Sequence, residues 1–242
     1  MKQDGITLPS LPSTDETAPI IQLTPVSIGP GLNNLQNQSV TLEKNVITAE
    51  LLPPIQLGLS TPINEESFNA LTNFINNKVL FGDKYVWSSY NATTRKVIYA
   101  QKADKLSIMD GTSQIIVTLN ANDQAVSYEQ TYAGNVQVLG NKRSLITAQS
   151  AVEVLFLAGK IPAKSIVSTV KLSYFQSLVL KEFSIYSPAW YVEIRQADGQ
   201  LVARRVDAIH GTVLTNETLE TTNTQTQRTT PNNTTTQTVQ QQ

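Results

Sequence analysis

His210 is the only histidine in the 242 residues, and Asp207 lies three positions before it. A histidine oriented by an aspartate is two thirds of a nucleophilic triad, in which the imidazole takes the proton of a serine hydroxyl. The third member is missing. No serine sits in a G-x-S-x-G elbow. The strand-to-turn context of Val206-Asp207-Ala208-Ile209-His210-Gly211 is also expected to send the two side chains apart. One histidine cannot build a zinc site without clustered carboxylates, and none are spaced for it. The absence of cysteine excludes thiol nucleophiles, Cys-based metal sites and disulfides.

The carboxylates are scattered. Asp110, Asp123 and Asp198 stand in turn contexts, where Asp bonds the local backbone. Nothing singles out a glycosidase pair. There is no Walker loop and no G-x-G-x-x-G, so no nucleotide or other cofactor is expected. The formal net charge is −1, which leaves no electrostatic footprint for nucleic acid. Arg204 and Arg205 are adjacent on a predicted strand and point to opposite faces. They read as a solvated edge, with at most one arginine pairing Glu193 or Glu182 across the sheet. The chain is therefore expected to bind rather than to catalyse, with no catalytic and no metal-ligating residue.

Aromatic side chains are the better candidates for function. Trp190 is in phase with Val192 and Ile194 and is expected in the core. Trp87 is in phase with Tyr85, while Val86 falls on the opposite face. Trp87 and Tyr90 are the candidates for an exposed aromatic contact with a partner.

These residues need elements to position them. Pro62 to about Lys78 reads as a helix capped by Thr61, with Phe68, Leu71, Phe74, Ile75 and Lys78 on one stripe. Strands follow at 84–90, 95–101, 114–119 and 124–131, separated by Asn91, Asp110-Gly111 and Asn122-Asp123. A second helix spans Ala148 to Ala158, with Thr147 as N-cap, Gly159 at the left-handed C′ position and Pro162 beyond it. Strands at 170–175, 190–195 and 201–206 alternate apolar and polar residues, as in Val170, Leu172 and Tyr174. The last two are joined by an Asp198-Gly199 hairpin. The fold class is α+β, with two similar subdomains, each an antiparallel sheet with a covering helix.

The second unit has a sequence order shared with a known family. A helix ends in Gly159-Lys160-Ile161-Pro162, and a strand carries Val170, Leu172 and Tyr174. Pro188-Ala189-Trp190-Tyr191-Val192 follows, then the Gly199 hairpin, then Val206-Asp207-Ala208 before His210-Gly211. Together with Lys78-Val79-Leu80-Phe81-Gly82-Asp83-Lys84-Tyr85, this resembles the extracytoplasmic part of the YycI family. The closing hairpin is also similar to the wider PepSY-type sheet. On this resemblance Thr147, Gly159, Tyr174, Pro188, Trp190, Gly199 and Gly211 are structural residues. The resemblance implies a non-enzymatic regulator of the YycF/YycG (WalR/WalK) two-component system of low-GC Gram-positive bacteria, which controls cell-wall metabolism. It implies as partners a YycH-like protein and the sensor histidine kinase. It also implies an extracytoplasmic position, held by an N-terminal membrane helix that this chain lacks. The alternative is a secreted PepSY-like inhibitor or pro-segment-like module of a hydrolase.

Four segments are expected. Eight of the eleven prolines precede Asn64, and residues 1–36 read as an extended linker after a missing membrane helix, with Met1 a cloning start. Residues 37–146 form the first subdomain and 147–214 the second. Residues 215–242, nearly all Thr, Asn and Gln, read as a disordered tail. No apolar run reaches the roughly 18–20 residues that span a bilayer.

Overall fold

The computed structural model describes residues 1–12, 17–33, 35–59 and 61–215. The strands are β1 (Thr17–Thr24), β2 (Gln38–Glu43), β3 (Val46–Gln56), β4 (Tyr85–Asn91), β5 (Lys96–Ala103), β6 (Leu106–Ser107) and β7 (Gln114–Leu119). They continue as β8 (Gln124–Gln130), β9 (Asn135–Ser144), β10 (Ile166–Val179), β11 (Ser184–Arg195), β12 (Leu201–Asp207) and β13 (Val213–Leu214). The helices are α1 (Gly29–Leu32), α2 (Asn69–Lys78) and α3 (Ala148–Leu157). The fold is α+β as expected, with two antiparallel sheets that fit a two-subdomain arrangement.

The first sheet runs β2-β3-β8-β7-β5-β4, with β6 beside β5. α2 covers it, burying Leu71 and Ile75 together with Phe68 from the turn before it. The helix does not begin at Thr61-Pro62. Asn64 caps a 3-10 turn over Glu65–Phe68, and its side chain accepts the Ser67 amide while Ser67 Oγ accepts the Asn64 amide, both at 3.3 Å. This reciprocal pair satisfies the free amides locally, so the α-helix proper opens later, at Asn69.

The second sheet runs β13-β12-β11-β1-β9, with β10 on the other side of β11. β11 is its spine. Its first residues pair with β1 (Ile21 opposite Tyr186) and its last with β12 (Ala189 opposite Asp207). Pro188 sits at the seam between those partners. Its carbonyl accepts the Ala208 amide at 3.0 Å. A strand residue's N–H points to the same side as its C=O, so the missing donor falls where β1 has left and β12 begins. A proline is tolerated there. α3 covers this sheet with Ala148, Ala151, Val152 and Leu155. Thr147 accepts the Ser150 amide at 3.1 Å, and Gly159 takes φ +66° at the helix end. Gly199 (φ +87°) and Gly211 (φ +67°) occupy left-handed turn positions. Tyr174 is buried, with its hydroxyl donating to the Pro19 carbonyl at 3.2 Å.

Two segment assignments are corrected. Residues 17–24 are no linker: β1 lies between β9 and β11, with Ile21 and Leu23 fully buried. Upstream, Ile6 is buried against the second core, and Thr7 exchanges backbone bonds with Ser165 and Val167. Apolar residues in this proline-rich stretch gain more by closing the second sheet than an open chain would by staying free. β9, expected within the first subdomain, pairs with β1, so the first sheet's share ends at Gln130. Residues 216–242 of the expected tail lie outside the described residues.

Candidate docking cleft

The sheets meet at the loop after β6. Ile108 bridges to Tyr174, and the Met109 amide donates to the Tyr174 carbonyl at 3.2 Å. The Asp110 carboxylate accepts the Gln176 amide at 2.6 Å, and also the Thr112 amide and hydroxyl at 2.9 and 2.6 Å. The Thr112 and Tyr186 hydroxyls bond at 2.9 Å. Arg205 donates twice to the Met109 carbonyl, at 3.0 and 2.7 Å. Beneath these bonds Ile21, Leu23, Ala103, Ile108, Tyr174 and Tyr186 form a buried cluster joining the two units.

This joint holds β4 across the outer face of the second sheet, the face turned away from α3. Between them is a cleft of about 400 Å³. Trp87 and Tyr90 line it from β4, and Lys171, Tyr191, Glu193 and Arg195 line it from β10 and β11. Trp87 is half-buried and stacks on Phe68, with ring centroids 6.2 Å apart and planes 20° from parallel. Tyr90, also half-buried, tilts against Phe68 at 5.2 Å. The Trp87 indole N–H is shielded from solvent and has no acceptor among the described residues. Burial pushes the Tyr191 hydroxyl up to about 12; Glu193 adds to the rise and the Arg205 cation opposes it. Tyr191 therefore remains a neutral hydrogen-bonding group at physiological pH. The Arg205 guanidinium lies over its ring, 5.7 Å from the centroid.

Trp190 is buried, as its phase predicts, and its indole N–H donates to the Ile146 carbonyl at 2.8 Å. Arg205 does not stand on a solvated edge: it ties the second sheet to the loop of the first. Neither arginine faces Glu193, which lies opposite Ala203. Glu193 instead accepts the Ser168 hydroxyl at 2.7 Å. The His210 and Asp207 side chains come together, with Nδ1 3.0 Å from Oδ2. The reason is local. Asp207 Oδ1 accepts the Ile209 and His210 amides at 2.7 and 2.9 Å, which folds the carboxylate over its own turn. No serine or threonine hydroxyl bonds to His210 among the described residues, so the pair caps a turn. Nor do three or more potential metal ligands cluster among the described residues.

Sequence reasoning missed Lys171, Tyr191 and Arg195 as parts of a site. The signal was partly there: all three occupy the wet phase of their strands. What the local pattern lacks is that β4, about eighty residues before Lys171 and about a hundred before Tyr191 and Arg195, lies across that face.

The family model described as YycI protein matches residues 1–209. The chain belongs to the YycI family. The match begins at residue 1, in line with the role of the first strand and its upstream segment in the second sheet. YycI membership fits a regulator of the YycF/YycG two-component system. Among solved structures, an uncharacterized protein from Eubacterium rectale ATCC 33656 superposes with a TM-score of 0.51 at 10% identity, covering 88% of this chain and 91% of that one. At that identity the likeness shows the fold alone. Comparison with curated proteins gives no match. No helix among the described residues of this YycI-family chain is long and apolar enough to cross a membrane.

Proposed function

We propose that this YycI-family chain is a non-enzymatic, extracytoplasmic regulator that associates with a YycH-like protein and the sensor histidine kinase, and so modulates a two-component system controlling cell-wall metabolism. A membrane helix preceding this segment tethers it. The observation that carries the reading is the family match over residues 1–209. The cleft between the sheets supports it, since its lining sets aromatic and charged side chains beside one another in an open groove. The mechanism is population shift: docking biases a kinase complex by its differential affinity for two states. A bias of about 1–3 kcal/mol changes output roughly 5–150-fold.

The test is calorimetry of this chain with the extracytoplasmic region of the YycH-like protein from the same source. Saturable one-to-one binding, weakened about tenfold or more by Trp87→Ala, is the expected result. No heat at tens of micromolar would mean that these extracytoplasmic parts do not associate by themselves, and the proposed partnership would lose its footing.

A further inference from the structure

We infer that the cleft takes an extended, acidic segment of a partner protein, which adds as a strand to the free edge of β4. This rests on the docking reading above and names the occupant of the same site. β4 ends the first sheet and pairs only with β5. Beyond that pairing, no hydrogen bond reaches the backbone of Val86–Tyr90 among the described residues. An unpaired strand edge is a template for another strand. β4 offers seven residues of edge, about 23 Å at ~3.3 Å per residue.

The register slips between Trp87 and Ser89, leaving Ser88 without a partner on β5. Ser88 and Ser89 both line the cleft. A bulge of this kind re-aims side chains beside a site. The cleft continues past these serines, Met109 and Tyr191 into a smaller hollow of about 140 Å³. The opening thus runs alongside the edge instead of ending as an isolated pit.

Charge selects the occupant. Lys171 and Arg195 are exposed on the cleft wall, and neither forms an ion pair among the described residues. The one carboxylate beside them, Glu193, already accepts the Ser168 hydroxyl. A strand with carboxylates on the side facing Lys171 and Arg195 would match this wall. Apolar or aromatic groups on the side facing Trp87 and Tyr90 would meet half-buried rings.

The probes are two synthetic decapeptides, one alternating valine with glutamate and one alternating valine with lysine, titrated into the full chain. Binding is read by calorimetry and by amide hydrogen exchange across β4. The glutamate peptide is expected to saturate, to bind about tenfold or more tightly than the lysine peptide, and to slow exchange at Val86–Tyr90. Lys171→Glu with Arg195→Glu should reverse the preference; both side chains are exposed, so the fold survives the exchange. Equal binding of the two peptides, protection at another edge such as β9, or no saturation overturns the inference. The YycH-like region separates the two readings. If it binds wild type and the double variant equally without protecting β4, strand addition is wrong and the regulator reading stands. If the glutamate peptide protects β4 while the YycH-like region gives no heat, the strand site stands and the proposed partnership fails.

Discussion

Each sheet carries one tryptophan, and their surroundings differ. Trp190 lies in the middle of the second sheet on its helix-covered face, fully buried, with its N–H bonded to Ile146. Trp87 lies on the edge strand of the first sheet, half-buried, with its N–H lacking an acceptor among the described residues. Both stack into cores on one side. Only Trp87 also borders an open cleft. A buried indole without an acceptor costs about 1–3 kcal/mol of desolvation. The contrast separates a residue enclosed by its core on every side from one that keeps an open side.

The largest effect should come from Trp190→Ala. It empties a buried site packed by Val192, Ile194, Val206 and α3 and leaves the Ile146 carbonyl without its donor. A loss of about 3–5 kcal/mol is expected from equilibrium urea unfolding. A loss under about 1 kcal/mol would mean that the second core does not depend on its tryptophan, and the contrast with Trp87 would collapse.

The joint between the sheets should respond next. Asp110→Ala leaves the Gln176 and Thr112 amides without their shared acceptor. The expected loss is about 1–3 kcal/mol. Scanning calorimetry should then resolve two transitions where the wild type is expected to give one, because the loop carrying Asp110 couples the two cores. A single transition shifted by less than a degree would show that the apolar cluster of Ile21, Ile108 and Tyr174 couples the sheets unaided.

The joint also explains which parts of the fold were legible. β7 and α3 were read from alternation, caps and turn residues, because in each the local pattern and the tertiary role agree. β3 was missed: it carries Pro53 and Pro54, and proline within an apolar run argues against a strand. β9 was missed because nearly every residue in it is exposed, so it has no buried face to produce alternation. β1 sits among prolines and becomes a strand only because β9 and β11, more than a hundred residues away, flank it. The site divides in the same way. Trp87 and Tyr90 are in opposite phase along an unbroken strand, and only the bulge at Ser88, which no local pattern records, brings both rings against Phe68. The wall of Lys171, Tyr191 and Arg195 was legible only as a wet face, because nothing local records the crossing of two sheets.

The smallest expected effect on stability is the most discriminating. Trp87→Phe keeps a ring against Phe68 and removes the N–H that lacks an acceptor. Losing that donor should recover part of the desolvation cost, while the smaller ring gives up some packing. The two oppose each other, so stability should change by no more than about 1 kcal/mol, in either direction. Trp190→Phe is the matched control: it removes a donor that is in use, and it should cost about 1–3 kcal/mol more. Partner affinity sharpens the contrast. If the docking segment packs on the open side of the Trp87 ring, Trp87→Phe should weaken binding severalfold while the protein stays about as stable as before. Trp190→Phe should lower stability and leave the affinity of the folded fraction unchanged. Equal losses of stability from both substitutions would mean that Trp87 is a core residue like Trp190, and that the cleft owes its aromatic lining to packing alone.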